Sequence, residues 1–429
     1  MQFKSFVLAG ALAATALAAD DVSTSRASSA SATTSISIAS GCSFTSATAT
    51  AQSDLDDYSS CEALKGDLTI TGDLGTASLD SVKVIYGSLL INNATSLSSF
   101  SAGSLTTVTD ELSLTSLTIL STLSLPQLTT VGSVNFVTLP ALSSISLNSG
   151  VTSINSLYIS DTSLETLEGF DVTSLDTFNV NNNKNLASID SNLKNVKVAL
   201  EVSYNSDDVE VAFDDLEWAN NITFRSVSSV SLSKLSKVNA SIGFINTTLS
   251  EIDCSELSEV GGSLTINAND DLEEVDFSNL TKIGGGFVVS NNSELEEISG
   301  FDSLQTVGGA IILYGNFSNA SLPSLKKVSG GVDIESETEL DCDSFDSLQK
   351  KGAIQGDSYE CKGVTASSSS SSSSSSGHSS TGGSSSEETG SNTASSSSSS
   401  SSSGLAPPSN ALGVSSILAA VGGLALALL

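Results

Sequence analysis

The sequence repeats itself with a period of about 22 residues, and no other feature limits its possible folds so strongly. Each copy carries a short pattern of small, small or polar, apolar, any and apolar residues, as in the run from Gly262 to Ile266. Thirteen copies, 20 to 24 residues apart, start at Gly66, Gly87, Asp110, Gly132, Asn155, Asp176, Val198, Asn220, Ala240, Gly262, Gly285, Gly309 and Gly330. A unit this short has no core of its own, so the repeat predicts a stack of similar coils.

The segments between these patterns decide which kind of stack to expect. Their apolar residues recur every two to three positions, as from Leu272 to Ile283, but Ser, Thr, Asn and Gly between them favour short strands and turns over helices. One coil buries roughly six apolar side chains at about 1.5–3 kcal/mol each, while ordering each residue costs about 1–2 kcal/mol. A single coil is therefore unstable. The predicted fold class is all-β: a parallel β-helix, or solenoid, of about 13 coils over residues 66–341.

Glycine and asparagine mark the turns of these coils. We expect the glycines at the starts of the repeats to have positive φ. The asparagines that follow the strands suit left-handed turns, and their expected role is structural. They are Asn92, Asn181, Asn182, Asn267, Asn291 and Asn292.

The first 18 residues are typical of a signal peptide. Lys4 precedes an apolar stretch from Phe6 to Leu17, and small residues precede the expected cleavage after Ala18. Export to an oxidising compartment allows the cysteines to pair.

The other end of the sequence has the order of a GPI-anchor signal, predicted over residues 404–429. An apolar run from Ala411 to Leu429 has no Lys or Arg after it, and small residues and a short spacer precede it. We expect the lipid to be attached at Gly404 or Ser403, with Asn410 as a third option. The expected membrane partner is therefore reached through a GPI lipid, with no membrane-spanning helix in the mature chain.

Two Ser-rich segments should separate the solenoid from the ends of the chain. Residues 19–41 and 363–403 are rich in Ser and Thr, and no large apolar residue occurs from Thr365 to Ser403, so we expect a disordered linker and a disordered, O-glycosylated stalk.

Four of the five cysteines bracket the repeats in two pairs with the same spacing of 19. We expect disulfides between Cys42 and Cys61 and between Cys342 and Cys361, although spacing alone does not fix connectivity. Each would close a cap, at residues 42–65 and 342–362, over an exposed strand edge. We expect a short helix in each cap, at 51–58 and 343–351. Cys254 is left as a buried free thiol.

Charge excludes several classes of function. The net charge is −32, so nucleic acid is not an expected partner. The predicted solenoid has no histidine and one arginine, Arg225, which argues against relay catalysis and against histidine metal sites. We therefore assign no catalytic, cofactor-binding or metal-binding residue and no cofactor; the oligomeric state is open.

Together these features resemble one protein family. The strands of the GSLTI type, the terminal cysteine pairs, the Ser-rich stalk and the GPI signal are similar to those of fungal GPI-anchored cell-wall organisation proteins, whose ectodomain resembles the receptor L domain. The resemblance implies a role in wall organisation and integrity, no catalytic residues, and a location at the outer face of the plasma membrane and in the wall. No Lys or Arg follows Lys362, which in such proteins permits transfer to wall glucan. Wall glucan and mannoprotein are the candidate partners.

Eight N-glycosylation sequons indicate a sugar-coated surface. They begin at Asn93, Asn221, Asn239, Asn246, Asn279, Asn291, Asn316 and Asn319. Asn93, Asn246 and Asn291 each come two positions after the final apolar residue of the repeated pattern, so they should share one corner of the solenoid.

Two other functions compete with this interpretation. A polysaccharide-modifying enzyme would need paired carboxylates, and the sequence offers Asp207 with Asp208, Asp214 with Asp215, and Asp270 with Asp271. A receptor-like module would bind a glycan or protein on outward-facing strand residues. We expect those residues to align as Tyr158, Asn179, Glu201, Thr223, Thr265, Val288, Ile312 and Asp333. Trp218 is expected to be packed inside the solenoid.

Overall fold

A computed structural model describes residues 37–364 of the 429-residue chain. The predicted signal peptide, GPI signal and attachment residues Gly404 and Ser403 lie outside these residues. So do most of the linker and nearly all of the Ser-rich stalk.

The described residues form a parallel β-solenoid, which confirms the predicted fold class. Its front is built by fifteen strands of one large sheet, each paired in parallel with the strands of the neighbouring coils. These front strands are β1 (Ser43–Ala49), β2 (Ala63–Ile70), β5 (Leu89–Asn92), β7 (Thr107–Thr115), β9 (Thr130–Leu139), β11 (Ser156–Thr162), β12 (Ser174–Asn181), β14 (Asn195–Ser203), β17 (Ile222–Arg225), β20 (Ile242–Ile245), β23 (Leu264–Asn267), β26 (Phe287–Asn292), β29 (Ile311–Gly315), β32 (Val332–Ser336) and β33 (Tyr359–Lys362).

Short strands precede the front strands in several coils and belong to the same sheet. They are β4 (Val84–Tyr86), β16 (Trp218–Ala219), β19 (Lys237–Val238), β22 (Glu259–Val260), β25 (Lys282–Ile283), β28 (Thr306–Val307) and β31 (Lys327–Val328).

The back of the coils is less regular, with four small parallel sheets among the described residues. The first contains β3 (Thr76–Ser78), β6 (Ser99–Ser101), β8 (Thr122–Ser124) and β10 (Ile145–Ser146). The second contains β13 (Ser188–Asp190), β15 (Glu210–Ala212) and β18 (Ser229–Ser231). The last two pair β21 (Glu251–Asp253) with β24 (Glu274–Asp276) and β27 (Glu297–Ile298) with β30 (Asn319–Ala320).

The alternation of side chains explains why the repeated pattern forms front strands. In β23, Leu264 and Ile266 are fully buried while Thr265 between them faces outward, as the period of two in a strand requires. Leu264 pairs in register with Ile242 and Phe287 of the adjacent coils. Each inward row thus becomes a continuous apolar column along the stack.

Aromatic side chains fill the middle and the C-terminal half of this core. Phe178, Phe213, Phe224 and Phe244 follow one another with ring centroids 5.5 to 6.5 Å apart. Phe301 lies 5.2 Å from Phe277 and 4.8 Å from Phe287. Except for Phe287 with Phe301, which share a coil, these contacts link successive coils, so the coils stabilise one another.

Both ends of the solenoid carry a disulfide and a helix. Cys42 is bonded to Cys61 and Cys342 to Cys361, the pairs that the equal spacing indicated. The helices are α1 (Gln52–Asp56) and α2 (Asp343–Lys350), somewhat shorter than expected. Each cap also contributes a strand to the large sheet, β1 at one end and β33 at the other, which the sequence pattern did not predict. Within residues 37–364, no helix is long and apolar enough to cross a membrane.

The glycines at the starts of the repeats serve close packing of the coils more than they serve positive φ, which corrects the expectation. Gly66 and Gly87 do have positive φ, of 123° and 143°. Gly285 and Gly309 do not, but a Cβ added to Gly285 would lie 2.8 Å from the carbonyl carbon of Gly262. A Cβ on Gly309 would lie at the same distance from the carbonyl carbon of Gly285. A side chain there would push neighbouring coils apart.

Candidate functional site

The outward residues at the middle of the front strands form one aligned row, here called the front ladder. Strand register places Tyr158 beside Asn179, Asn179 beside Glu201, and Glu201 beside Thr223. Gly243 continues the row, followed by the predicted members Thr265, Val288, Ile312 and Asp333. The predicted alignment is therefore confirmed. The row also extends to Asn135 and Ser113 in one direction and to Glu360 in the other.

Hydrogen bonds hold the first part of the front ladder in a fixed arrangement. The amide nitrogen of Asn179 donates to Glu201 Oε2 at 2.9 Å, and its Oδ1 accepts from Asn181 at 2.6 Å. Ser203 donates to Glu201 Oε1 at 3.2 Å. Asn135 donates to Glu111 Oε1 and Ser113 Oγ, both at 3.2 Å.

A second polar row lies two residues further along the same strands, and sequence analysis missed it. It contains Ser160, Asn181 and Ser203, which are paired in register and buried. Ser160 donates to Asn181 Oδ1 at 2.6 Å. The spacing that located the front ladder would have found this row if it had been read two positions later.

Acidic groups dominate the C-terminal end of the front ladder. Carboxylate oxygens of Asp333, Glu335 and Glu360 lie within 4.8 Å of one another, a geometry that a cation could bridge. Lys362, however, makes ion pairs with Glu335 and, at 2.9 Å, with Glu360. Tyr314 also donates a hydrogen bond to Glu335. A lysine of the chain itself thus occupies the position of a counter-ion.

The pKa values of this acidic group follow from these contacts. Burial, together with the charges of Glu335 and Glu360, raises the pKa of Asp333. Burial also acts to raise the pKa of Glu335, but hydrogen bonds from Lys362 and Tyr314 outweigh it and leave that pKa lowered. Of Asp333 and Glu335, Asp333 is therefore the carboxylate whose charge is the less favourable.

The corner after each front strand is a row of residues with positive φ, here called the corner row. Its ten members lie at the same position in ten successive coils, two residues after the last inward side chain. They are Asn93, Ser116, Thr138, Asp161, Asn182, Tyr204, Ser226, Asn246, Ala268 and Asn291. Of the asparagines expected in left-handed turns, only Asn182 and Asn291 belong to this row. The path of the coil imposes positive φ at this position, and the residue type there indicates it in only some of the coils.

The three sequon asparagines expected to share a corner do occupy the same position in the coil. Asn93, Asn246 and Asn291 are exposed members of the corner row, with φ of 52°, 53° and 57°. The asparagines of four other sequons are exposed elsewhere: Asn239, Asn279, Asn316 and Asn319. Asn221 is half buried, and its Oδ1 accepts a hydrogen bond from the backbone N–H of Ser241 at 3.1 Å.

The residue after each corner-row member points into the core, and here it is called the inner corner. In four coils the inner corner is a buried asparagine, namely Asn183, Asn205, Asn269 or Asn292. Asn269 Oδ1 accepts from the backbone N–H and the hydroxyl of Thr247, at 2.9 and 2.6 Å. Its amide nitrogen donates to Phe244 O and Asn292 Oδ1, at 3.1 and 3.0 Å. These asparagines are structural, as expected for Asn292.

The paired carboxylates proposed for an enzyme lie in three separate turns, exposed or half buried, and the first two of these turns belong to the coil that starts at Val198. Asp214 accepts hydrogen bonds from Ser231 and Ser233, and Asp215 pairs with Lys234. The hydrogen bond from Lys234 lowers the pKa of Asp215, which disfavours a role as a general acid. Asp270 accepts from Ser293 Oγ at 3.1 Å.

Two further residues can now be placed. Trp218 in β16 is half buried between Asn195 and Lys237 of the adjacent strands, so it is not a core residue. Cys254 is a buried free thiol, and burial raises its pKa. A thiol in that state is a poor nucleophile.

Comparison with known proteins places the chain in a family. It is 49% identical over 319 residues to the cell wall mannoprotein PST1 of Saccharomyces cerevisiae, covering 74% of this chain and 71% of PST1. It is 37% identical over 324 residues to the cell surface GPI-anchored protein ECM33 of Candida albicans, covering 75% and 78%. The cell wall protein ecm33 of Schizosaccharomyces pombe is 33% identical over 339 residues, covering 77% and 79%. The chain belongs to the PST1 and ECM33 family of fungal cell-wall proteins.

Membership of the PST1 and ECM33 family confirms the resemblance seen in the sequence. The protein is a GPI-anchored cell-surface glycoprotein of the plasma membrane's outer face and the cell wall, with a role in wall organisation. These three relatives carry names of wall and surface proteins and no enzyme names. No family model and no solved structure matches the chain.

Proposed function

We propose that the protein organises the fungal wall as a non-catalytic scaffold held at the surface by its GPI lipid. The observation that carries this proposal is the acidic solenoid in which the three candidate carboxylate pairs lie in separate turns. Several of these carboxylates are engaged by the chain's own serines and lysines. Such an arrangement supports display of a surface more than it supports bond cleavage.

The same proposal includes the attachment residue of the lipid, the glycan sites and the partners. We propose Gly404 or Ser403 as the residue that carries the GPI lipid, and the eight sequons as N-glycan sites. Wall glucan and mannoprotein are the proposed partners. The exposure of seven of the eight sequon asparagines supports glycosylation, since the transferase needs access to the amide.

The proposal is tested by rescue of wall integrity in a fungal strain that lacks the protein. We expect rescue by the full chain and by a variant in which Asp207, Asp208, Asp214, Asp215, Asp270 and Asp271 are all changed to Asn. Growth on a wall-binding dye is the measurement, with surface amount checked by antibody. Failure of the Asp-to-Asn variant at normal surface amount would overturn the non-catalytic assignment.

Attachment is tested with a second variant that ends after Pro408 and so lacks the apolar tail. We expect it to be secreted and to fail in rescue, since a scaffold must stay where the wall is built. Rescue by this variant from the medium would show a diffusible activity instead.

A second candidate function, that of a binding module, is favoured by the ordered polar side chains of the front ladder. It is compatible with a scaffold, because a scaffold needs a surface that holds its partner.

A further inference from the structure

The eight sequons are distributed unevenly along the solenoid. Asn93 is followed by no sequon until Asn221, so the residues between them carry none on any face of the coils. The remaining seven sequons all begin between Asn221 and Asn319. If glycans cover the sequons, about five successive coils are left bare.

The bare coils also hold most of the exposed large apolar and aromatic side chains. Among the described residues, six such side chains are exposed, and four of them lie between Asn93 and Asn221. These four are Ile119, Tyr158, Val198 and Tyr204. These four lie at different positions around the coil, and of them only Tyr158 belongs to the front ladder.

Within this region the front ladder presents Asn135, Tyr158, Asn179 and Glu201 in consecutive coils, here called the bare patch. The ring of Tyr158, 38% exposed, stands between two amides. At about 4.8 Å per coil the four side chains span roughly 14 Å along the stack. A flat ring flanked by amide and carboxylate groups can contact the C–H face and the hydroxyl edge of a sugar at once.

The bare patch is already ordered by its own hydrogen bonds. Asn135 is held by Glu111 and Ser113, and Asn179 is held by Glu201 and Asn181. Side chains fixed in this way lose little freedom when a ligand binds. The arrangement therefore favours a ligand that offers many hydroxyl groups in a regular row.

Charge and area decide among the possible partners. The chain carries a net charge of −32, which opposes binding of a phosphorylated, anionic mannan. A stable protein partner would need roughly 800 Å² on each side with an apolar centre, whereas the bare patch offers one ring among polar groups. A neutral polymer of the wall satisfies both conditions.

We propose that the bare patch binds a single neutral glucan chain lying along the stack of coils, across the front strands. This inference rests on the proposed scaffold function and names its partner and its site. Tyr158 supplies the stacking surface, and Asn135, Asn179 and Glu201 bond the sugar hydroxyls.

The first test measures binding of laminarin, a soluble glucan, to the full-length protein purified from a fungal host in detergent. We expect the unaltered protein to bind and Tyr158→Ala to bind about tenfold more weakly, as for loss of a central aromatic contact. Tyr314→Ala is the matched control, because Tyr314 is an equally exposed tyrosine on the same sheet face in the sequon-bearing half. We expect it to bind like the unaltered protein. Equal binding by all three, or no binding at all, would overturn the proposal.

A second variant blocks the bare patch with an N-glycan, so that the test does not depend only on loss of the tyrosine ring. Tyr158→Asn turns residues 158 to 160 into a sequon, because Ile159 and Ser160 follow. We expect the glycosylated form, identified by its mass, to lose laminarin binding completely. Tyr158→Gln, which creates no sequon, should lose only about tenfold. Full binding by the glycosylated form would overturn the site.

Competition identifies the polymer, and rescue separates the site from the function. Yeast mannan or chitin oligosaccharides that displace laminarin at lower concentration would overturn the assignment to glucan. Loss of laminarin binding in Tyr158→Ala with unchanged rescue of wall integrity would support the site and overturn its part in the scaffold. Laminarin binding is measured on the purified protein, so its result does not depend on the outcome of the rescue tests with the anchorless variant and the Asp-to-Asn variant.

Discussion

The inner corner is built in two ways: it is apolar in the first three coils of the corner row and holds a buried asparagine in several later coils, although Val227 makes it apolar again in one later coil. Ala94, Leu117 and Leu139 fill it with apolar side chains, whereas Asn183 and Asn269 fill it with amides. The backbone N–H of Leu117 donates to the backbone oxygen of Thr138 at 3.2 Å. The N–H of Asn183 donates instead to the side-chain oxygen of Asn205 at 3.0 Å.

The comparison teaches that the backbone N–H at the inner corner can find its hydrogen-bond acceptor in two ways. It can bond the backbone of the next coil while its side chain packs, or it can bond an amide in a ladder of side chains. In the apolar version the neighbouring coil's backbone accepts the corner N–H, and the side chain is free to pack. In the amide version the side chain does both tasks, since Asn269 accepts from the Thr247 N–H and donates to the Phe244 carbonyl, both in the preceding coil. The amide version is the more demanding, because each buried group depends on its neighbour.

The largest expected effect tests the apolar corner. Leu117→Ala should lower the free energy of unfolding by about 2–5 kcal/mol, since it removes a fully buried side chain and leaves a cavity. Denaturant unfolding followed by circular dichroism measures it. Leu117→Met is the control and should cost less than about 1.5 kcal/mol. Equal costs for the two variants would show that packing does not maintain this corner.

The next effect tests the amide corner. Asn269→Ala should cost about 1–3 kcal/mol, because Phe244 O and the Thr247 N–H lose a buried partner. The loss should also speed hydrogen exchange at Thr247. The exposed Asn192→Ala, which lies outside every sequon, serves as control and should leave stability within about 0.5 kcal/mol. An unchanged exchange rate at Thr247 in the Asn269 variant would contradict the ladder.

A smaller effect tests the corner row, which the two halves share. Thr138→Asn should stabilise the protein by roughly 0.5–1 kcal/mol, because a β-branched residue at positive φ is strained and Asn tolerates that geometry. Ala268→Asn should gain less, since Ala is not branched. Neither change creates a sequon. Thermal unfolding ranks the two, and destabilisation by both would refute strain in this row.

The smallest effect concerns surface charge. Glu259 lies between Lys237 and Lys282, at 3.0 and 2.8 Å, and hydrogen bonds from Lys282 and Lys237 lower its pKa. A lowered carboxylate pKa stabilises the fold above the unfolded value of 4.5, and the contribution is lost as pH falls through the folded value.

We expect Glu259→Gln to cost less than about 1 kcal/mol at neutral pH, because all three side chains are exposed to solvent to some extent. The cost should vanish in acid and shrink in high salt. Melting temperatures at two pH values and two salt concentrations measure it. A cost that persists in acid would assign the role to packing of the side chain.

Much of the architecture could be predicted because the repeat is dictated by burial alone. The front strands and the front ladder follow from the alternation around residues such as Leu264 and Ile266, which requires no knowledge of long-range contacts. The disulfides follow from spacing at the two ends. Burial largely decides whether a position holds an apolar or a polar residue, so these features could be predicted from the sequence.

The remaining features depend on backbone geometry, which restricts the residue type less strongly than burial does. Ala268 and Thr138 have positive φ although neither residue type suggests it. Gly285 looks like a turn glycine, but it is required by the approach of Gly262 in the coil beside it. The bare patch needed the register of four strands, together with the exposure of Tyr158, before its members could be seen as one surface.

The regular register across the front strands restricts how proteins of this kind can change in length. Loss of a single residue within a front strand would turn the buried row beyond it outward and break pairing with both neighbours. Loss of a whole period, by contrast, lets the flanking coils meet with equivalent side chains opposite each other. Insertions and deletions among relatives should therefore come in steps of one coil, or be confined to the back turns.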